Sequence, residues 1–229
     1  PRKILRLCQP RTGKAKKEIP TFAFVVDGET EIWYLQMFKK NEQKDRNIRI
    51  NIQPEIPQKK TLKDQFDLVC KQAKGEYDRV FWIVDPDVIL KETREAKSTD
   101  TALKNFIGLI RDLDFKKKKD EDFMNVNVIV NNPCLEYWFL LHFDASGKTY
   151  RNCDEVTVKL KRHLRDYEKS ERYFKKKDND IYIRLKPYLN NAINNAKALG
   201  GFDKENPEKG MCEMDALFLC DELKPYFQE

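Results

Sequence analysis

Thr21-Phe22-Ala23-Phe24-Val25-Val26-Asp27-Gly28-Glu29-Thr30-Glu31 joins an apolar, β-rich run to an acidic turn. The run lacks apolar–polar alternation, which is the pattern of a strand buried on both faces of a parallel sheet. Gly28 permits a tight strand-to-helix turn and a close approach of the backbone to a ligand. Ile32, Tyr34, Leu35 and Phe38 then recur at helical spacings and predict a helix over about 30–40. Arg79-Val80-Phe81-Trp82-Ile83-Val84-Asp85-Pro86-Asp87 repeats the design, a second buried strand running into carboxylates. Ligands of an open α/β sheet bind beyond the carboxyl ends of its strands. Two acidic strand ends in one sheet would therefore aim several negative charges at one point. Like charges about 4 Å apart repel by roughly 4 kcal/mol at an effective dielectric near 20. A cation, shared protons or a reaction must compensate.

The remaining segments extend the alternation. Ile48, Ile50 and Ile52 alternate in a strand over 47–53, and Thr61-Leu62-Lys63-Asp64 matches a capping box with Asp for Glu, opening a helix to about 73. Ser98 or Asp100 is placed to cap a helix carrying Leu103, Phe106, Ile107, Ile110 and Leu113. Val126, Val128 and Val130 alternate in a strand over 125–130 that Asn131-Asn132-Pro133 stops, and a dense aromatic helix follows over 134–143. This order predicts an α/β fold with a largely parallel sheet flanked by helices. Beyond Phe143, helix periods run over 154–168, 180–199 and 211–227 with no long strand between them. The expected organisation is a basic arm over 1–20, an α/β domain over 21–145, and a helical appendage over 146–229 packed on the core.

With 229 residues, 40% hydrophobic and 36% charged, the chain has a globular composition and enough length for a full core. No run approaches the ~18 apolar residues of a membrane span. Pro1-Arg2-Lys3-Ile4-Leu5-Arg6 lacks the apolar centre of a signal peptide, so the cytoplasm is the expected compartment, and the absence of Met at position 1 suggests a trimmed terminus. The six cysteines contain no C-x-x-C, which argues against a zinc ribbon or a disulfide scaffold. Cys70, Cys134, Cys212 and Cys220 read as small buried apolar residues. With His142 and His163 as the only histidines, a metal here would be held by oxygen, and hard oxygen ligands favour Mg²⁺ or Mn²⁺. The net charge is +6, concentrated in basic runs over 11–17, 116–119, 159–165 and 169–177. Singly these are solvated faces; together they permit a polyanionic partner.

The expected chemistry lies on one rim. Asp27, Asp85 and Asp87, and Asn131 with Asn132, end three strands, and Glu31 lies one turn into the following helix, able to return to the same rim. Asp85 and Asp87, two residues apart, share a side if extended. Equally, Asp27 and Asp85 fit helix caps or turn formers. His142 fits a cap or core residue at the end of an apolar helix, His163 a surface position, and Tyr137, Trp138 and Phe139 the core. Lys91 is a candidate lysine near the rim for holding a phosphate.

Strand, Asp-Gly-Glu-Thr-Glu, then strand and Asp-x-Asp resembles the Toprim fold of topoisomerases, primases and OLD-type nucleases. Asn131-Asn132-Pro133-Cys134-Leu135-Glu136-Tyr137-Trp138-Phe139-Leu140-Leu141-His142-Phe143 is similar to the Asn-Pro-x-x-Glu-x-Trp-x-Leu-Leu-His-Phe signature of RloB-like, AbiLii-type abortive-infection proteins. The resemblance covers about 20–145 and continues weakly beyond. It implies a Toprim nuclease of an antiphage system, often encoded beside an AAA/ABC-type ATPase. In that light Asp27, Glu31, Asp85 and Asp87 match the metal-binding acids, Glu136 the Glu of the Asn-Pro-x-x-Glu element, and Asn132 and His142 stand beside it. Asp27 departs from the usual glutamate by one methylene.

Three functions follow. The first is a Mg²⁺- or Mn²⁺-dependent nuclease acting on DNA or tRNA, with Asp27, Glu31, Asp85, Asp87 and Glu136 catalytic. The second is a catalytically weak Toprim-like module that binds nucleotide or nucleic acid and works with an ATPase. The third is another Asp-x-Asp enzyme such as a phosphatase, which fits poorly because Ile89 stands where a dehalogenase-type enzyme wants Thr or Val. A homo-oligomer stays open.

Overall fold

The computed structural model describes residues 19–26, 28–43, 46–53, 60–144, 147 and 149–227. Most of the expected basic arm, and Asp27, lie outside the described residues. The first half alternates strand and helix, with two helices between β3 and β4: β1 (Thr21–Val25), α1 (Glu29–Glu42), β2 (Arg49–Gln53), α2 (Leu62–Ala73), β3 (Arg79–Val84), α3 (Asp87–Glu95), α4 (Ala102–Lys119), β4 (Val126–Asn132) and α5 (Leu135–Leu141). Then come α6 (Cys153–Leu160), α7 (Glu171–Phe174), α8 (Ile181–Leu185), α9 (Leu189–Leu199), β5 (Met211–Cys212), α10 (Asp215–Phe218) and α11 (Lys224–Phe227). The sheet runs β2-β1-β3-β4-β5; its first four strands are parallel, and β5 closes it antiparallel to β4. This is the mostly parallel, helix-flanked architecture expected of a Toprim-like fold.

Two-sided burial of the strands sorts the core into two layers. Phe22, Phe24, Val26, Phe81, Ile83 and Ile129 face α1, α5 and the C-terminal helices. Ala23, Val25, Val80, Trp82, Val84 and Val130 face α2, α3 and α4. Every residue of α5 is buried, and Trp138 at its centre donates to Tyr34 Oη at 3.1 Å and stacks on Phe218. The C-terminal helices thus complete one of the two faces of the sheet. Polar bonds fasten them as well. Arg79, buried at the start of β3, binds Glu222 through Nε at 2.9 Å, and Tyr182 donates to the buried Glu42 of α1 at 2.9 Å.

Several boundaries differ from the sequence expectation. Asp87 is not extended but opens α3, so its side chain does not share a strand face with Asp85. Thr101, not Ser98 or Asp100, caps α4 by accepting from Lys104 N–H, whereas the Thr61–Asp64 capping box forms as expected. β4 continues through Asn132 because β5 pairs with Asn131 and Asn132. The stretch 154–168 leaves the helix after Leu160 in successive turns. Pro187 sits in a 3-10 turn that separates α8 from α9, since proline lacks the N–H that a helix interior needs. Gly200, at φ 77°, ends α9 in a backbone state that other residues avoid. Cys134 and Cys153 form a disulfide, 19 residues apart with Cα atoms at 5.7 Å, correcting the expectation that Cys134 is a plain apolar residue. Their separation in sequence hid their contact in space. Among the described residues, no helix is long and apolar enough to cross a membrane.

Candidate active site at the carboxyl ends of the strands

Sheet register builds the site. Val25 lies opposite Trp82, and Val84 opposite Val130, so the residues just past β1, β3 and β4 reach one rim. Asp85 is the first residue past β3. Its Oδ2 accepts from Leu135 N–H at 2.9 Å, and its Oδ1 accepts from Asn131 Nδ2 at 3.3 Å. Asn131 is itself oriented, because Cys212 Sγ donates to its Oδ1 at 3.0 Å. Burial raises the Cys212 thiol well above its ordinary range, so it stays protonated and serves as a donor. Asp85 is thus held by β4, β5 and the first turn of α5 together.

Glu31 approaches from α1. It is buried, accepts from Thr30 Oγ1 at 3.2 Å, and shares a hydrogen bond with the Asp85 carboxyl. Its carboxyl folds back over Gly28, where an added Cβ would stand 2.0 Å from Glu31 Oε2. The backbone at Gly28, φ −87°, suits any residue, so what glycine provides here is room for the Glu31 carboxyl, which a side chain would displace. Two carboxyls bonded to each other must share a proton. Burial first, then the mutual charge of the pair, raises Asp85 well above the usual carboxylate range; burial also raises Glu31. Asp85 keeps part of its surface accessible, so the pair is not sealed in the core.

Glu136, in the first turn of α5, is fully buried and faces the pair. Its Oε1 accepts from Tyr167 Oη at 2.8 Å and lies 2.8 Å from Lys169 Nζ. Its Oε2 lies 2.9 Å from Cys153 Sγ, a close contact without a hydrogen, because that sulfur is bonded to Cys134. The donor atoms of Cys134, Glu136 and Cys153 fall within 4.8 Å of one another, but disulfide sulfurs are not thiolate ligands, so the trio is not a soft-metal site. Burial opposes the Lys169 charge, yet Glu136, Asp85 and Glu31 together outweigh it and hold the ammonium above its ordinary range. Asp87 lies farther out and accepts from Val88 N–H at 2.7 Å; burial raises its carboxyl, with Lys169 opposing. A small cleft of about 50 Å³ opens beside it, lined among others by Arg94, Asn132 and Arg151. A larger concavity of about 620 Å³ lies at the opposite, amino ends of the strands, around Thr21, Arg49 and Tyr77, away from the acids.

The structure therefore brings Glu31, Asp85 and Glu136 together, with Asp87 at the edge. Asn132 does something else: its Nδ2 donates to the carbonyls of Pro207 and Lys209 at 2.9 and 2.8 Å, bracing the loop before β5. His142 is buried on α5, its Nδ1 2.9 Å from the Trp138 carbonyl and its ring against Trp138. Burial pushes it down to about 4, leaving it neutral. Lys91 is exposed on α3. Two contributors were not singled out from sequence. Tyr167 lies in the helix expected over 154–168 and Lys169 opens the basic run over 169–177, while Asn131, named at the strand end with Asn132, is the one of the two that meets Asp85.

The donor set fits a hard divalent cation. Glu31 and Asp85 present carboxylate oxygens to one point, and the proton they share there is the charge that a bound cation would replace.

A family model described as RloB-like protein matches residues 22–218. Comparisons with curated proteins and with solved structures return no match.

Proposed function

Because this chain belongs to the RloB-like family, we propose that it is a Mg²⁺- or Mn²⁺-dependent nuclease that hydrolyses phosphodiester bonds of DNA or tRNA. Its setting is antiphage, abortive-infection defence, with an AAA/ABC-type ATPase as partner. The observation that carries the proposal is the juxtaposition of the Glu31 and Asp85 carboxyls at the carboxyl ends of parallel strands, with Asp85 held by the Leu135 amide and Asn131. When bound, the cation supplies an activated water and stabilises charge building on the phosphate. Glu31 and Asp85 bind it. Asn131 and the Leu135 amide fix the orientation of Asp85. Asp87 and Glu136 flank the pair as further carboxyls that would add negative charge to the site, and Asp27 matches the family's further acid in sequence.

A second reading is a nucleotide- or nucleic-acid-binding effector working with the ATPase. The Lys169–Glu136 ion pair favours it, since it already neutralises one acid. Cleavage separates the two. Purified protein is incubated with plasmid, single-stranded DNA and a tRNA pool in Mg²⁺, Mn²⁺ or EDTA, alongside Asp85→Ala. The nuclease reading predicts metal-dependent cutting that the variant loses. Binding without cutting under every condition, including with the ATPase, supports the second reading instead.

A further inference from the structure

Lys169 reaches the acidic centre from the C-terminal region. It sits in the turn before α7, where Ser170 N–H donates to the Glu168 carbonyl at 2.9 Å and Ser170 Oγ accepts from Tyr173 N–H at 3.3 Å. That turn aims Nζ at Glu136 Oε1, the oxygen that also receives the Tyr167 hydroxyl. The Lys169 side chain is 45% exposed while that of Glu136 is 1% exposed, so the lysine spans the distance from the buried acids to solvent. Its charge acts on Glu31, Asp85, Asp87 and Glu136 alike. Arg94, on the rim nearby, pairs instead with the exposed Glu208 at 3.0 Å, outside the acidic centre.

We propose that Lys169 is a catalytic residue that holds the scissile phosphate against the acidic centre, with Glu136 as its counter-ion when no phosphate is present. The inference rests on the nuclease reading and adds the residue that meets the substrate. An ammonium half in solvent and half on the acids stands where a phosphate must enter. A flexible stem lets it follow the oxygen on which charge develops. The C-terminal region is then part of the active site and not only a support for the sheet.

Lys169→Met and Lys169→Arg test this with three readouts: Mn²⁺ binding by electron paramagnetic resonance titration, single-turnover cleavage of plasmid and tRNA pool, and thermal melting. The Met variant is expected to lose about 100-fold or more in cleavage rate. It should still melt cooperatively, below wild type because the buried Glu136 loses its counter-ion, and bind Mn²⁺ as tightly as wild type or up to about tenfold tighter, because the acids lose a competing cation. The Arg variant should fall between the two. Met-variant cleavage within about threefold of wild type overturns the proposal, as does a parallel loss of Mn²⁺ affinity and melting temperature, the mark of a structural role. If the Met variant does not fold, the Arg variant carries the test: at least about tenfold slower cleavage with Mn²⁺ binding intact supports the proposal, and an unchanged rate overturns it. If wild type neither binds Mn²⁺ nor cuts, the nuclease reading falls and takes this inference with it. If wild type cuts and the Met variant cuts equally well, only the role of Lys169 falls.

Discussion

Asp85→Asn keeps the shape of the site and removes one of its charges, and its effect on stability has a sign that runs against intuition. Two ionised carboxyls at hydrogen-bond distance would repel by about 4 kcal/mol at an effective dielectric near 20. The shared proton relieves that repulsion but costs free energy at neutral pH, where the unfolded chain holds both groups ionised. The amide removes this cost. It also loses one of the two acceptor sites that serve Leu135 N–H and Asn131 Nδ2, about 1 kcal/mol. Because Asp85 is partly accessible, solvent screening discounts the repulsion by about half. The net expectation is a gain of about 1 kcal/mol for the cation-free protein, roughly 2–4 °C in melting temperature for a chain of this size. The pH dependence has a definite direction. The native pair holds a proton that the unfolded chain has released, so this stability is complete below the unfolded carboxylate pKa and is lost as pH rises through the raised native value. Melting in EDTA between pH 5 and 8 should show wild type weakening relative to Asp85→Asn as pH rises. Added Mn²⁺ should stabilise wild type and leave the variant unmoved. A variant that melts below wild type at pH 8, or that gains as much from Mn²⁺, refutes the electrostatic reasoning.

Gly28→Ala should push the Glu31 carboxyl off Asp85, since the new methyl would stand 2.0 Å from Oε2; Mn²⁺ affinity should drop about tenfold or more with the fold retained by circular dichroism. His142→Phe keeps a ring against Trp138 but removes a buried imidazole whose pKa is pushed down to about 4. The histidine's contribution is lost as pH falls from about 6.5 to 4, an upper figure of about 3 kcal/mol, so urea denaturation of the variant should be less acid-sensitive than that of wild type by up to that amount, with cleavage little changed. Trp138→Ala should cost about 3–5 kcal/mol, because it empties the centre of α5 and leaves Tyr34 Oη without its donor; a loss under 1 kcal/mol by chemical denaturation would contradict the packing described.

The buried strands were legible because parallel strands covered on both faces are apolar past their first residue; β1 and β3 read directly from 21–26 and 79–84. Glu31 and Asp85 were legible because two acidic runs follow two buried strands; either run alone fits a cap or a turn, and the pairing at matched strand ends is what points to a site. What stayed hidden depends on contacts distant in sequence. β5 is two residues long and exists through its pairing with Asn131 and Asn132. Lys169 lies in a run of charges that local pattern assigns to solvent, and only the return of the chain to Glu136, 33 positions away, gives it a partner. Cys134 and Cys153 carry no spacing motif. Asn131 and Asn132 are adjacent and chemically identical, so only the pleat decides which one faces Asp85 and which one braces the loop.

The central claim is that Glu31 and Asp85 exchange a shared proton for a divalent cation. Anomalous diffraction from crystals grown with Mn²⁺ tests it most directly. A peak within about 2.1 Å of carboxylate oxygens of both residues is predicted. Density without a peak there, with the two carboxyls still hydrogen-bonded to each other, would contradict it.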